Sequence, residues 1–194
     1  MIILYGKSFW EAPVDISIRE RRLSFASEYD VETPAGNYYA RRAVFSFTDH
    51  LELKDSDGGV LATIEGKLSP LRKKHSFLLN DGRAFEFGCE KLWTQVYTCE
   101  GNGEIYRLYQ HKGLSYSVFR DEGQIAAFTK NRVVWGKGNE YDLRMNHDAE
   151  VVVLICMVLT INTIEHDDDD STVTIDFGSL GPEAKRFDET WQPT

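Results

Sequence analysis

Val151-Val-Val-Leu-Ile-Cys-Met-Val-Leu-Thr-Ile-Asn-Thr-Ile164 is the stretch on which the reading of the fold turns. Its β-branched residues suit a strand, but about 14 residues is long for one and fits a helix better. A helix over residues 148–164 follows. Asn146 or Asp148 can cap its start, and Asp148 with Glu150 suits the positive end of the helix dipole. A helix that is apolar on every face must be buried on every face. It is too short for a bilayer: it reaches only about 20 to 24 Å, where a span needs about 30 Å. Glu150 on one side and Glu165-His166-Asp167 on the other prevent its extension as an apolar segment.

Working upstream, the dominant rhythm has a period of two, the mark of half-buried strands. Phe85, Phe87 and Cys89 alternate with Glu86, Gly88 and Glu90. Leu51 and Leu53 alternate with Glu52 and Lys54, and Tyr141, Leu143 and Met145 with Asp142, Arg144 and Asn146. Asp57-Gly58, Asp81-Gly82, Asn102-Gly103 and Glu122-Gly123 punctuate these runs about every 20 to 24 residues. Glycine there supplies the positive φ of tight hairpins, so each interval holds two strands and a return connection. The result is an antiparallel meander of about ten strands from residue 23 to 146. A many-stranded meander followed by one wholly apolar helix has a natural solution: the sheet closes on itself and the helix fills the barrel.

The predicted organisation is an N-terminal extension over 1–22, a barrel domain with its helix over 23–164, and a tail over 165–194. That tail carries the acidic run Asp167–Asp170, a further strand around Val173, Ile175 and Phe177, and a terminal segment that docks through Phe187 and Trp191 or frays. At 194 residues, 42% of them hydrophobic, one domain with a sizeable core is expected. A net charge of −9 is repelled by phosphate backbones and anionic headgroups, which argues against nucleic-acid binding. Cys89, Cys99 and Cys156 form no close-spaced pair and predict reduced thiols and a cytoplasmic location. Met1–Tyr5 is an apolar run too short and too early for a secretory signal, so a soluble protein is expected.

The order of elements and several segments resemble the tubby-like superfamily, and within it the LURP-one-related proteins and their phospholipid-scramblase cousins. The segments are Tyr29–Gly36, Phe45-Ser-Phe47, Leu51–Gly58, Leu61–Leu68, Leu71-Arg-Lys-Lys-His-Ser-Phe77, Tyr116–Lys130 and Tyr141–Glu150 running into the apolar helix. The resemblance covers roughly residues 23 to 164, and the chain departs from it after the helix. It implies a mainly β fold, a closed barrel of about twelve antiparallel strands around a central hydrophobic helix. For activity it implies less: tubby binds phosphoinositides, scramblases are linked to lipid movement and calcium, and fold does not dictate function.

Arg72, Lys73 and Lys74, with His75 beside them, form the one dense basic cluster. They could grip a phosphate or an anionic phospholipid headgroup, or simply guard a hairpin tip. Arg41-Arg42 would join them only if the fold brought them together. Asp55-Ser-Asp-Gly58 starts like a calcium loop, but Gly59 and Gly66 fall where oxygen ligands are needed, so a β-turn explains it better. Asp142, Asn146 and Asp148 fall where the scramblase resemblance places a calcium segment, against a plainer reading as strand polarity and a helix cap. The histidines and cysteines show no metal-ligand spacing, no nucleophile-elbow motif occurs, and no cofactor is expected. Three function classes stay open: a non-enzymatic binding or scaffold protein, a peripheral anionic-lipid binder using Arg72, Lys73 and Lys74, and an enzyme whose site is assembled from scattered residues. The partner is left unassigned.

Overall fold

The structure, a computed structural model, describes residues 12–23, 26–42, 50–67, 74–91, 96–132, 138–169 and 184–194. Its strands are β1 (Val14–Leu23), β2 (Ala26–Thr33), β3 (Gly36–Arg42), β4 (His50–Lys54), β5 (Val60–Lys67) and β6 (Lys74–Leu79). They continue with β7 (Ala84–Lys91), β8 (Val96–Gly101), β9 (Glu104–His111), β10 (Ser115–Arg120), β11 (Gly123–Arg132) and β12 (Asn139–Met145), and one helix follows, α1 (Val151–Asp169). Each strand pairs antiparallel with its sequence neighbours, and β1 pairs with β12, from Val14↔Met145 to Arg19↔Glu140. The sheet is a closed twelve-stranded barrel, which leaves no strand edge unpaired.

The period-two runs face as expected: Leu51, Leu53, Phe85, Phe87, Tyr141, Leu143 and Met145 are all buried. The Asn102-Gly103 turn has φ of 52° and 80°, the paired positive values of a primed hairpin turn. At the β10–β11 turn the reading of Glu122-Gly123 needs correction, because Asp121 takes the positive φ of 55° instead of the glycine. A second difference lies at the start. β1 falls in the stretch set apart as an extension, and with β12 and β2 it closes the barrel. Val14, Ile16 and Ile18 alternate there with Asp15, Ser17 and Arg19, the same signal as elsewhere. The further strand around Val173–Phe177 lies outside the described residues.

α1 starts at the end of the barrel that holds the β6–β7 and β10–β11 turns, where Glu150 meets Arg83 and Asp148 meets Arg120, and runs toward the other end, where Glu165 meets Lys130. From Val151 to Ile164 every side chain except Val152 is buried. The helix starts three residues later than expected, so Glu150, and not Asn146 or Asp148, stands immediately before it, and it runs on to Asp169 through residues expected to be an acidic linker. The residue before Val151 is Glu150, which is buried, accepts the Leu154 amide on its carbonyl and pairs its carboxylate with Arg83 at 3.3 Å. Asp148 pairs with Arg120 at 2.7 Å. Around the helix the barrel wall is aromatic: Phe77, Phe87 and Tyr97 stack in series at 5.8 and 5.6 Å, and Tyr116 stacks on Phe128 at 4.4 Å. Fully burying a large apolar side chain stabilises by about 1.5–3 kcal/mol, so this wall and the helix anchor each other. The outward positions carry charge in cross-strand pairs, such as Arg19–Glu140, Arg21–Asp30 and Arg144–Asp15. An apolar lumen with a charged exterior is the reverse of a porin-type barrel. No helix among the described residues is long and apolar enough to cross a membrane.

Candidate functional site

Three regions bring polar side chains together. The first is inside the barrel, around the C-terminal half of α1. Glu20 is fully buried and follows Ile16 and Ile18 on the inward face of β1. Its carboxylate accepts from the Asn139 backbone N–H at 3.0 Å, the Asn139 side-chain amide at 3.1 Å and the Ser27 hydroxyl at 3.0 Å. Asn162 on α1 joins this group: its Oδ1 accepts from Asn139 at 2.8 Å and Tyr141 at 2.6 Å, and its Nδ2 donates to Tyr29 Oη at 2.8 Å. Beside it, Glu165 accepts hydrogen bonds from Tyr116 and Lys130. Burial, and secondarily the Glu20 charge, raises the Tyr29 pKa; burial and Glu165 do the same for Tyr116. These groups are hydrogen-bonded to one another, so their evident work is to set the depth and rotation of the helix.

The second region is the basic cluster. Arg72 and Lys73 lie outside the described residues. Lys74 opens β6, is exposed, and stands in register opposite Lys67, which is ion-paired with Glu86. Arg41 does not lie beside Lys74. It lies three strands away on β3, about 14 Å at the usual strand spacing, and approaches Glu28 at 3.6 Å. The acidic candidates have structural partners. Asp55 Oδ1 accepts the Asp57 and Gly59 amides in a turn, Asp142 accepts from Asn131, and Asn146 accepts the Thr194 amide. Cys99 and Cys156 are buried, and burial raises both thiol pKa values, which keeps them protonated and inert. Among the described residues no three His, Cys, Asp or Glu side chains converge as metal ligands.

The third region is on the outside, where the terminal segment takes the docked one of its two expected alternatives. The segment 184–194 lies against the barrel: Phe187 meets His111 at 5.1 Å, the Lys185 ammonium sits 3.7 Å from the Phe119 ring centre, and Thr194 O accepts from His147 N at 2.9 Å. Beneath it His111 and Ser117, joined at 2.7 Å, are buried although they point away from the lumen. Beside this segment runs a groove of about 730 Å³. Its floor is β11, β12, β1 and the end of β2, and Phe187, Asp188, Glu189, Trp191 and Gln192 form one wall. The Phe187 and Trp191 docking signal was legible; the strands that receive them were not, because they are distant in sequence. This chain matches no protein-family model, no curated protein and no solved structure.

Proposed function

We propose that this chain is a cytoplasmic, non-enzymatic binding or scaffold protein of the tubby-like, LURP-one-related type, acting through its outer surface. The observation that supports it most is the filled lumen. In barrels that hold a small ligand the inward positions line a cavity, whereas here α1 occupies that space and its side chains are buried from Val153 to Ile164. What faces a partner is the charged exterior and the groove beside the C-terminal segment. The buried, protonated thiols of Cys99 and Cys156 accord with a reducing compartment. The test is quantitative affinity capture from the source cell with the parent and with surface variants of each barrel face. At least one protein should be enriched by the parent and lost from variants of one face only. Turnover of an ester, phosphate or glycoside in a substrate screen, with no such face-dependent partner, overturns this reading.

A second reading, a peripheral anionic-phospholipid module, is favoured by the exposed Lys74 following Arg72-Lys73. Each basic residue at an anionic surface contributes about 1 kcal/mol, enough for weak association by three together. The net charge of −9 opposes it, but distant acids are screened beyond about 8 Å at physiological salt. Flotation with phosphoinositide vesicles should weaken as salt rises and vanish in the Arg72→Ala/Lys73→Ala/Lys74→Ala variant. Equal flotation of parent and variant removes these residues from the site.

A further inference from the structure

The groove beside the C-terminal segment has a register that defines its chemistry. Ser17 on β1 is paired with Glu32 on β2 and with Asp142 on β12, and Asp142 is paired with Thr129 on β11. All four belong to the groove floor. One outward row therefore reads Glu32, Ser17, Asp142, Thr129, with the two carboxylate residues about 10 Å apart across a single small side chain. A hollow over Ser17, flanked by acids, is the consequence. The next row holds Asp15 and Arg144, which satisfy each other at 3.0 Å. Among the described residues Asp142 accepts an amide hydrogen bond from Asn131 and has no ion-pair partner, nor has Glu189; Glu32 lies within electrostatic reach of Arg19, whose ion pair is with Glu140. Hydrogen bonds from the Thr190 hydroxyl and backbone amide hold the Asp188 carboxyl below its usual pKa, so it too is charged. The half-buried rings of Phe187 and Trp191 stand over this floor. In all, five carboxylates and one already-paired guanidinium line a groove walled by two aromatic rings. Carboxylates with aromatic faces are the complement of a lysine or arginine side chain, whose stem packs on a ring while its charge is shared.

Resting on the reading of this chain as a binding protein, we propose that the groove is the docking site for an extended basic segment of a partner protein, with one Lys or Arg side chain seated over Ser17 between Glu32 and Asp142. An extended segment fits because the floor is a sheet face whose side chains repeat every second residue, as do those of a strand-like ligand.

The probe is a fluorescein-labelled octapeptide of alternating Lys and Ser, with a matched Gln–Ser peptide, read by fluorescence anisotropy on the full chain. The lysine peptide should bind and the glutamine peptide should not. Affinity should fall about tenfold or more between low and physiological salt. Ser17→Phe, which fills the hollow without altering charge, should weaken binding at least about tenfold, as should Glu32→Gln/Asp142→Asn/Glu189→Gln. A charge-matched control at exposed positions on strands outside the groove floor, Glu65→Gln/Glu90→Gln/Glu100→Gln, should leave it within about twofold. Thermal melts of all variants must match the parent. Equal loss in the groove and control sets, unaltered binding to Ser17→Phe, or no binding by the parent overturns the site. So does a concentration-dependent dimer that Ser17→Phe dissociates, which would make a second copy the occupant. Mass spectrometry of the recovered peptide separates the two layers of the inference. Cleavage or modification of a groove-bound peptide would sink the non-enzymatic reading and leave the groove standing. A face-dependent partner lost only on variation of Lys74 would sink the groove and leave the binding reading standing.

Discussion

Glu20 and Asn162 show how single residues can set the geometry of this molecule. Each stands where the pattern around it calls for an apolar side chain, and each is fully buried. Asn162 accepts from Asn139 and Tyr141 and donates to Tyr29, so one helix residue is tied to strands β12 and β2. Asn162→Ala strands those buried donors at about 1–3 kcal/mol per group, and a loss of at least about 2 kcal/mol in a urea titration is expected. A loss below about 0.5 kcal/mol would mean that water or rearrangement replaces the network. The tyrosines add a pH dependence. Burial, with help from nearby carboxylates, raises the pKa of Tyr29, Tyr106 and Tyr116 above the unfolded phenol value of about 10. Their contribution to stability is therefore fully present below about pH 10 and is lost as pH climbs through the raised folded values. The urea midpoint should hold steady to about pH 9 and fall above about pH 10, with phenolate absorbance appearing together with unfolding. Phenolate absorbance for these residues in a still-folded protein counts against their burial.

At the scale of the element, α1 is the piece on which the barrel is built. It is apolar on every face, and intrinsic propensity does not hold it: Val and Ile are middling helix formers, so burial does most of the work. Leu154 is 1% exposed at mid-helix. Leu154→Asp places a carboxylate in the hydrophobic core, at a cost of several kcal/mol, comparable to the whole stability of a domain. Expression as insoluble or unfolded protein by far-UV circular dichroism is expected, while Leu154→Met should fold with a loss below about 1.5 kcal/mol. A folded Leu154→Asp protein with parental melting would mean the helix is not the core.

At the scale of the molecule, the pairing of β1 with β12 is the seam that closes the barrel, and the backbones approach closely at one point beside it. Gly138, just before β12, has φ of 84°, and a Cβ there would lie 2.4 Å from the Glu20 carbonyl oxygen. Gly103 has φ of 80° but open space around it. Gly103→Ala should cost about 1–2 kcal/mol, the left-handed backbone penalty alone. Gly138→Ala should cost distinctly more, and far-UV and near-UV signals should still melt together because strands and helix share one core. Equal losses for the two variants would mean the seam can open without affecting the rest. Much of this architecture was determined by the sequence itself. The alternation of Leu51 and Leu53, or of Tyr141, Leu143 and Met145, dictates which strand face is dry. The Asn102-Gly103 turn dictates a hairpin, and the run from Val151 to Ile164 demands a barrel to receive it. These are local signals, carried by a period or by a residue's allowed φ. Tertiary structure decided the rest. That Val14–Leu23 closes the barrel, that Glu20 and Asn162, 142 positions apart, both accept from the Asn139 side chain, and that Glu32, Ser17 and Asp142 form one row all depend on the β1–β12 register. The physical reason is that pairing between strands distant in the chain is chosen by the closed sheet as a whole, and no neighbouring residue encodes it.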